Sequence, residues 1–82
     1  MSSEEIQDAL RSMLVEQFKV EPSAIQPDAT FKKLKLDSLD VVSLAMALED
    51  RLGVEIPDRE LVGIETFGQA VELLERKVGA PA

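Results

Sequence analysis

The chain has no cysteine, no histidine, no tryptophan and no tyrosine among its 82 residues. Without cysteine there is no disulfide, no thiolate metal site and no thiol nucleophile. Without histidine the commonest general base and the commonest zinc ligand are missing, and every His-dependent triad with them. Three phenylalanines are the only aromatics, which leaves little to stack on bases. Bases are also few: nine Lys and Arg stand against sixteen acids, a formal charge of −7. That field repels phosphate backbones, so nucleic acid is disfavoured as a partner and a basic protein surface is favoured. Long apolar runs are missing, so no membrane span is expected. The polar, acidic start from Met1 to Gln7 does not read as a secretory signal. These features disfavour self-contained catalysis and predict a soluble intracellular, cytoplasmic protein without a thiolate or histidine metal site.

The length predicts one domain over residues 1–82, with a tail that frays from about residue 79. Such a chain buries only about 60% of the surface its unfolded form exposes, room for one small core and no deep cleft between lobes. Hydrophobic residues at 45% and charged residues at 30% fit a folded domain and argue against disorder. The charge is uneven: residues 37–65 hold eight acids and two bases, while Lys32, Lys33 and Lys35 form a short basic run just before them.

Periodicity predicts three longer helices and one short one. Ser2 and Glu5 have capping-box spacing, and Ile6, Leu10, Met13, Leu14 and Phe18 form an apolar stripe that Pro22 should end. A long loop follows, with Ile25 and Phe31 as core anchors. Asp37 should cap a helix that runs to Leu52 and stops at Gly53, with Asp40 favourably placed in its first turn. Asp58 can cap a short helix near Arg59–Val62, closed by Gly63. Thr66 and Gln69 have capping-box spacing ahead of a last stripe of Phe67, Ala70, Val71, Leu74 and Val78. No stretch shows convincing strand alternation. The expected fold is all-α, a small four-helix bundle.

The helix from residue 38 to 52 carries two apolar faces. At about 100° per residue, Val41, Leu44, Ala45, Leu48 and Leu52 share one side. Leu39, Val42 and Met46 fall within about 60° of one another on the opposite side, beside Glu49 and Asp50. A small bundle can wrap a helix on two sides, and single exposed apolar residues are ordinary. The other reading is a partner-docking face, with apolar anchors for affinity and flanking acids that steer a basic partner. Methionine suits a surface that must fit several partners.

Ser38 opens that helix. A first-turn serine is commonplace, and no neighbouring base, Ser-x-x-Lys pattern or glycine-rich oxyanion turn makes it a nucleophile. A helix N-terminus does suit an anion, and a phosphodiester on Ser38 Oγ would sit well there.

Leu36-Asp37-Ser38-Leu39-Asp40 resembles the Asp-Ser-Leu attachment motif of acyl carrier proteins. Ser38 to Asp50 is similar to that family's second helix, Gly53-Val54-Glu55-Ile56-Pro57-Asp58 to the loop after it, and Thr66 to Val71 to the start of its last helix. The tripeptide alone is weak; with the Glu-Ile-Pro-Asp segment at this spacing the signal is strong. The resemblance covers nearly the whole chain. It implies that Ser38 receives 4'-phosphopantetheine from coenzyme A through a phosphopantetheinyl transferase, with Asp37, Leu39 and Asp40 as the surrounding motif. The cofactor's thiol would hold acyl groups as thioesters, which a protein without cysteine cannot do alone. The resemblance also places Leu39, Val42, Met46, Glu49 and Asp50 in enzyme docking, and Ile56, Leu61 and Ile64 near an acyl-binding cavity, where core packing is their plainer role.

The implied partners are the transferase and the acyltransferases, ketosynthases and other enzymes of fatty-acid or polyketide assembly that carry basic docking patches, with the carrier a monomer. Lys32-Lys33-Leu34-Lys35 stands where the family often has acids and a glycine, Ser43 where a Glu is common and Arg51 where another acid is common. A solvated loop charge accounts for the lysines; a partner set other than that of primary fatty-acid synthesis is the sharper account. A peptidyl, aminoacyl or D-alanyl carrier, or an unmodified adaptor using the Leu39, Val42 and Met46 face, remains the alternative.

Overall fold

A computed structural model describes residues 2–79. Four α-helices follow in order: α1 (Ser3–Phe18), α2 (Ser38–Leu52), the one-turn α3 (Asp58–Leu61) and α4 (Phe67–Val78), with a 3-10 turn at Pro22–Ala24 between α1 and α2. The all-α, four-helix expectation holds. Of the tail expected to fray, Gly79 caps α4 with φ +71°, and residues 80–82 lie outside the described residues.

α1 forms where its caps and stripe direct. The Ser2 hydroxyl accepts the Glu5 N–H at 3.2 Å, and the Glu5 carboxylate accepts the Ser2 N–H at 3.1 Å. The Ser2 backbone N–H first, and its side chain second, hold the Glu5 carboxyl below its ordinary pKa. That contribution is therefore present at neutral pH and lost as pH falls through the lowered value. The end of α1 differs from the sequence expectation. Lys19, not Pro22, terminates it: Lys19 turns left-handed at φ +59°, and the Val20 N–H returns to the Leu14 carbonyl at 3.0 Å. Val20, just past the left-handed turn, is buried in the core.

α1 packs on both α4 and α2. Ile6, Leu10, Leu14 and Leu74 are the largest fully buried side chains and mark the centre of one continuous core. The long loop is anchored more heavily than Ile25 and Phe31 alone would manage, for Val20, Ala29, Leu34 and Leu36 are buried as well. It is also clamped to the start of α4. Thr30 and Thr66 form an isolated antiparallel bridge, the only strand-type pairing among the described residues. Phe31 N–H donates to the Glu65 carbonyl at 2.9 Å, Phe67 N–H to that of Ala29 at 3.0 Å and Gly68 N–H to that of Pro27 at 2.9 Å. The last contact explains Gly68 inside a helix: a Cβ there would stand 2.8 Å from the Pro27 carbonyl oxygen.

The short helix is also capped differently from expectation. Its N-cap is Pro57, with no side-chain hydrogen bond, and Asp58 is already helical. Pro57 lies immediately ahead with extended backbone, so the helix begins one residue earlier than an Asp58 cap would require. Gly63 does not take the left-handed conformation; Val62 closes the turn in the right-handed region. α3 buries none of its own residues fully, and a half-buried Glu60–Lys77 ion pair ties it to α4.

Candidate functional site

α2 begins where the chain leaves a tight turn. The Leu36 N–H donates to the Phe31 carbonyl at 2.9 Å, and Lys35 reaches φ +65° to let the chain double back. Burial of Phe31, Leu34 and Leu36 pins the turn from inside and leaves Lys32, Lys33 and Lys35 exposed. A left-handed lysine carries a Cβ penalty that glycine avoids, on the order of 1 kcal/mol. Lys35→Gly is therefore expected to raise stability by about 0.5–1 kcal/mol. A thermal melt of the variant checks this, and a lower midpoint would show that the lysine side chain contributes more than its backbone costs.

Asp37 caps α2 as the sequence predicts, and the structure adds its reciprocal partner. The Asp37 carboxylate accepts the Asp40 N–H at 2.9 Å, and the Asp40 carboxylate accepts the Asp37 N–H at 3.2 Å. Asp40 is thus the second half of a capping box as well as a charge near the macrodipole. The signal was available, since Asp37 and Asp40 have the Ser2–Glu5 spacing. Ser38, the first helical residue, is exposed, and its hydroxyl makes no hydrogen bond among the described residues. The Val41 N–H goes to the Asp37 carbonyl at 3.0 Å, whereas the N–H groups of Ser38 and Leu39 have no acceptor among the described residues. An anion joined to Ser38 Oγ would find two open donors and the positive end of a 15-residue helix.

Ser38 lies on an open cleft of about 710 Å³ between the basic turn, α2 and α3. Lys32 and Leu36 line it from the turn, Val41 and Val42 from α2, and Leu61 and Val62 from α3 and the turn after it. A smaller pocket of about 20 Å³ lies beside it, lined by core residues. Phe31, Val41, Leu61 and Ile64 border both spaces, while Ile56 lines only the inner one. The structure thus gathers Ile56, Leu61 and Ile64 around one pocket. At that volume it holds about one water-sized probe. A longer apolar chain would require the pocket to widen.

On the outer side of α2, Leu39 is 76% exposed, Met46 63% and Val42 39%. Leu44, Ala45 and Leu48 are buried on the other side, with Val41 and Leu52 partly buried. The two acids beside the exposed stripe behave differently. Asp50 is exposed. Glu49 is half-buried, and its carboxylate accepts the Ile56 N–H at 2.8 Å, so it holds the Val54–Ile56 segment. One residue escaped the sequence reading: Val62, 82% exposed, beside the Ser38 cleft. In sequence it sits at the end of a four-residue helix, too short for a periodic stripe, so only tertiary placement reveals it.

Among the described residues no group of three or more acidic side chains could hold a metal, and no helix is long and apolar enough to cross a membrane.

Comparisons with known proteins address this site and fold. A family profile described as phosphopantetheine attachment site matches residues 8–74. The chain is 45% identical over 80 residues to an acyl carrier protein of Prochlorococcus marinus (strain MIT 9515), covering 96% of this chain and 100% of that one. Its fold is similar to the crystal structure of an acyl carrier protein from Thermotoga maritima, with a TM-score of 0.85 and 24% identity over 96% of this chain and 93% of that one.

Proposed function

The chain belongs to the acyl carrier protein family, a carrier of 4'-phosphopantetheine and not an enzyme, and on that premise we propose that Ser38 is the attachment residue. The observation that carries this is the exposed, unbonded hydroxyl of Ser38 at the start of α2, beside two open N–H groups and on the rim of an open cleft. The residues present fit a phosphate ester there. When bound, the group supplies a thiol on which acyl chains ride as thioesters.

The chain's own residues bind, orient and admit. Asp37 and Asp40 hold the helix start rigid through their reciprocal bonds, so the Ser38 hydroxyl is presented in one place. Leu61 and Ile64 border both cleft and inner pocket, which supports a role for them, with Ile56 behind, in receiving an apolar acyl chain. Leu39, Val42 and Met46 form the proposed docking stripe, with Asp50 as its exposed acid and Val62 as an addition from across the cleft. Glu49 belongs to this group by position, but its hydrogen bond to Ile56 favours a positioning role.

The proposed partners are a phosphopantetheinyl transferase and the enzymes of fatty-acid or polyketide assembly, met by a monomeric single-domain carrier in the cytoplasm, where coenzyme A is used. The exposed lysine turn at 32–35, beside the attachment site, is the observation that favours a specialised partner set within that range.

The test of attachment is intact mass before and after incubation with coenzyme A and a broad-specificity transferase, followed by digestion. A gain of one phosphopantetheine that maps to the peptide containing Ser38 is expected. Failure with two transferases, from protein shown to lack the group beforehand, would shift the assignment to an unmodified adaptor.

Docking has its own expected outcome. Leu39→Ala and Met46→Ala should each weaken binding to a transferase or ketosynthase about tenfold, roughly 1.4 kcal/mol, without lowering stability. Affinity of the parent should fall as salt rises, because screening shortens the reach of the acids. Parent-like affinity in both variants, or affinity indifferent to salt, would count against this face.

A further inference from the structure

We propose that Lys32 is the counter-charge for the phosphate ester at Ser38, holding that phosphate against the N-terminus of α2. This rests on the assignment of Ser38 as the attachment residue.

The need for a cation follows from the charges already fixed around the cleft. Asp37, Asp58 and Glu65 line it, and the Asp40 carboxylate sits one turn along α2. Asp37 and Asp40 cannot swing aside freely, because each is bonded to the other's N–H, at 2.9 and 3.2 Å. A phosphodiester on Ser38 Oγ adds a further negative charge to this crowd. The open N–H groups of Ser38 and Leu39 offer only partial positive charge. Among the described residues, Lys32 is the only basic side chain lining the cleft.

The placement of Lys32 is built into the turn. Phe31 N–H is bonded to the Glu65 carbonyl at 2.9 Å, Leu34 N–H to the Thr30 carbonyl at 3.1 Å, Lys35 N–H to the Lys32 carbonyl at 3.0 Å and Lys33 N–H to the Thr30 hydroxyl at 3.0 Å. With Phe31 and Leu34 buried on either side, the backbone of Lys32 has a fixed position. Lys33 and Lys35 share its charge and exposure but do not line the cleft. Lys32 pairs with no carboxylate among the described residues, where the ion pairs are Arg11–Asp8 and Glu60–Lys77. Its ammonium is free for the ester.

The experiment compares unmodified and phosphopantetheinylated protein for the parent and for Lys32→Gln, Lys32→Arg and Lys33→Gln, each form verified by intact mass. The readout is the melting midpoint of the modified form minus that of the unmodified form. At low ionic strength Lys32→Gln is expected to lower this difference by roughly 2–4 °C relative to the parent, the scale of an exposed charge pair in a domain of this size. Lys33→Gln should match the parent, Lys32→Arg should largely restore it, and about 0.5 M salt should erase the effect. Equal loss in Lys32→Gln and Lys33→Gln would replace the local contact by a general field and overturn the proposal. So would a loss in Lys32→Gln that is the same with and without the group, which marks a structural lysine, or no loss at all. Failure of the Ser38 assignment would show separately, as no mass gain in the parent or as a gain that persists in Ser38→Ala.

Discussion

Ser38→Ala is expected to accept no phosphopantetheine and yet to melt where the unmodified parent melts. Both halves follow from the start of α2. The capping bonds belong to Asp37 and Asp40, and the Ser38 hydroxyl contributes none of them. Its side chain is exposed, so removing the oxygen opens no cavity. Alanine is at least as good a helix former as serine, and surface changes of this kind stay within about 0.5 kcal/mol. The loss of modification, by contrast, is complete, because a hydrogen atom cannot form the ester. Mass after treatment with coenzyme A and transferase, alongside a thermal melt, checks both. A persistent mass gain would move the attachment to another hydroxyl, with Ser43, exposed on the same helix, the first to replace.

Leu74→Ala is expected to cost about 2–5 kcal/mol, against a total of roughly 4–12 kcal/mol for a domain of this length. Leu74 is 1% exposed and sits in the centre of the core with Ile6, Leu10 and Leu14. Truncation removes buried apolar surface and leaves a cavity among neighbours held on other elements, which collapse onto it only in part. A fall in melting midpoint of roughly 10–25 °C follows for a domain of this size. Urea unfolding should show a lower midpoint with an unchanged slope. Met46→Ala provides the contrast. Methionine is of similar volume, but at 63% exposure its loss should change stability by less than about 0.5 kcal/mol. Equal effects at the two positions would mean that α4 does not close the core as described.

The sequence by itself determined the four helices and the caps of α1, α2 and α4 at their N-termini, and it singled out Ser38 as the candidate. Each of these is a local matter. Capping boxes at Ser2–Glu5 and Thr66–Gln69 form between residues three apart, and Gly53 turns left-handed because it alone lacks a Cβ there. The two faces of α2 were equally legible, since helix geometry fixes which residues share a side; Leu39, Val42 and Met46 are exposed while Leu44, Ala45 and Leu48 are buried. Local rules failed where burial overrode them. Lys19 ends α1 in the left-handed region ahead of Pro22, with Val20 buried just beyond it, and Lys35 takes a glycine's conformation so that Leu36 can return to Phe31. Only the tertiary structure decided which distant residues meet. It bridges Thr30 to Thr66, seats Val62 and Val42 on one cleft, turns Glu49 from the docking stripe to the Ile56 N–H, and brings Lys32 but not Lys33 or Lys35 into the lining of the cleft that Ser38 shares. Those pairings depend on how the core closes the long loop and α3 against α2 and α4, and no periodicity within one segment records that closure.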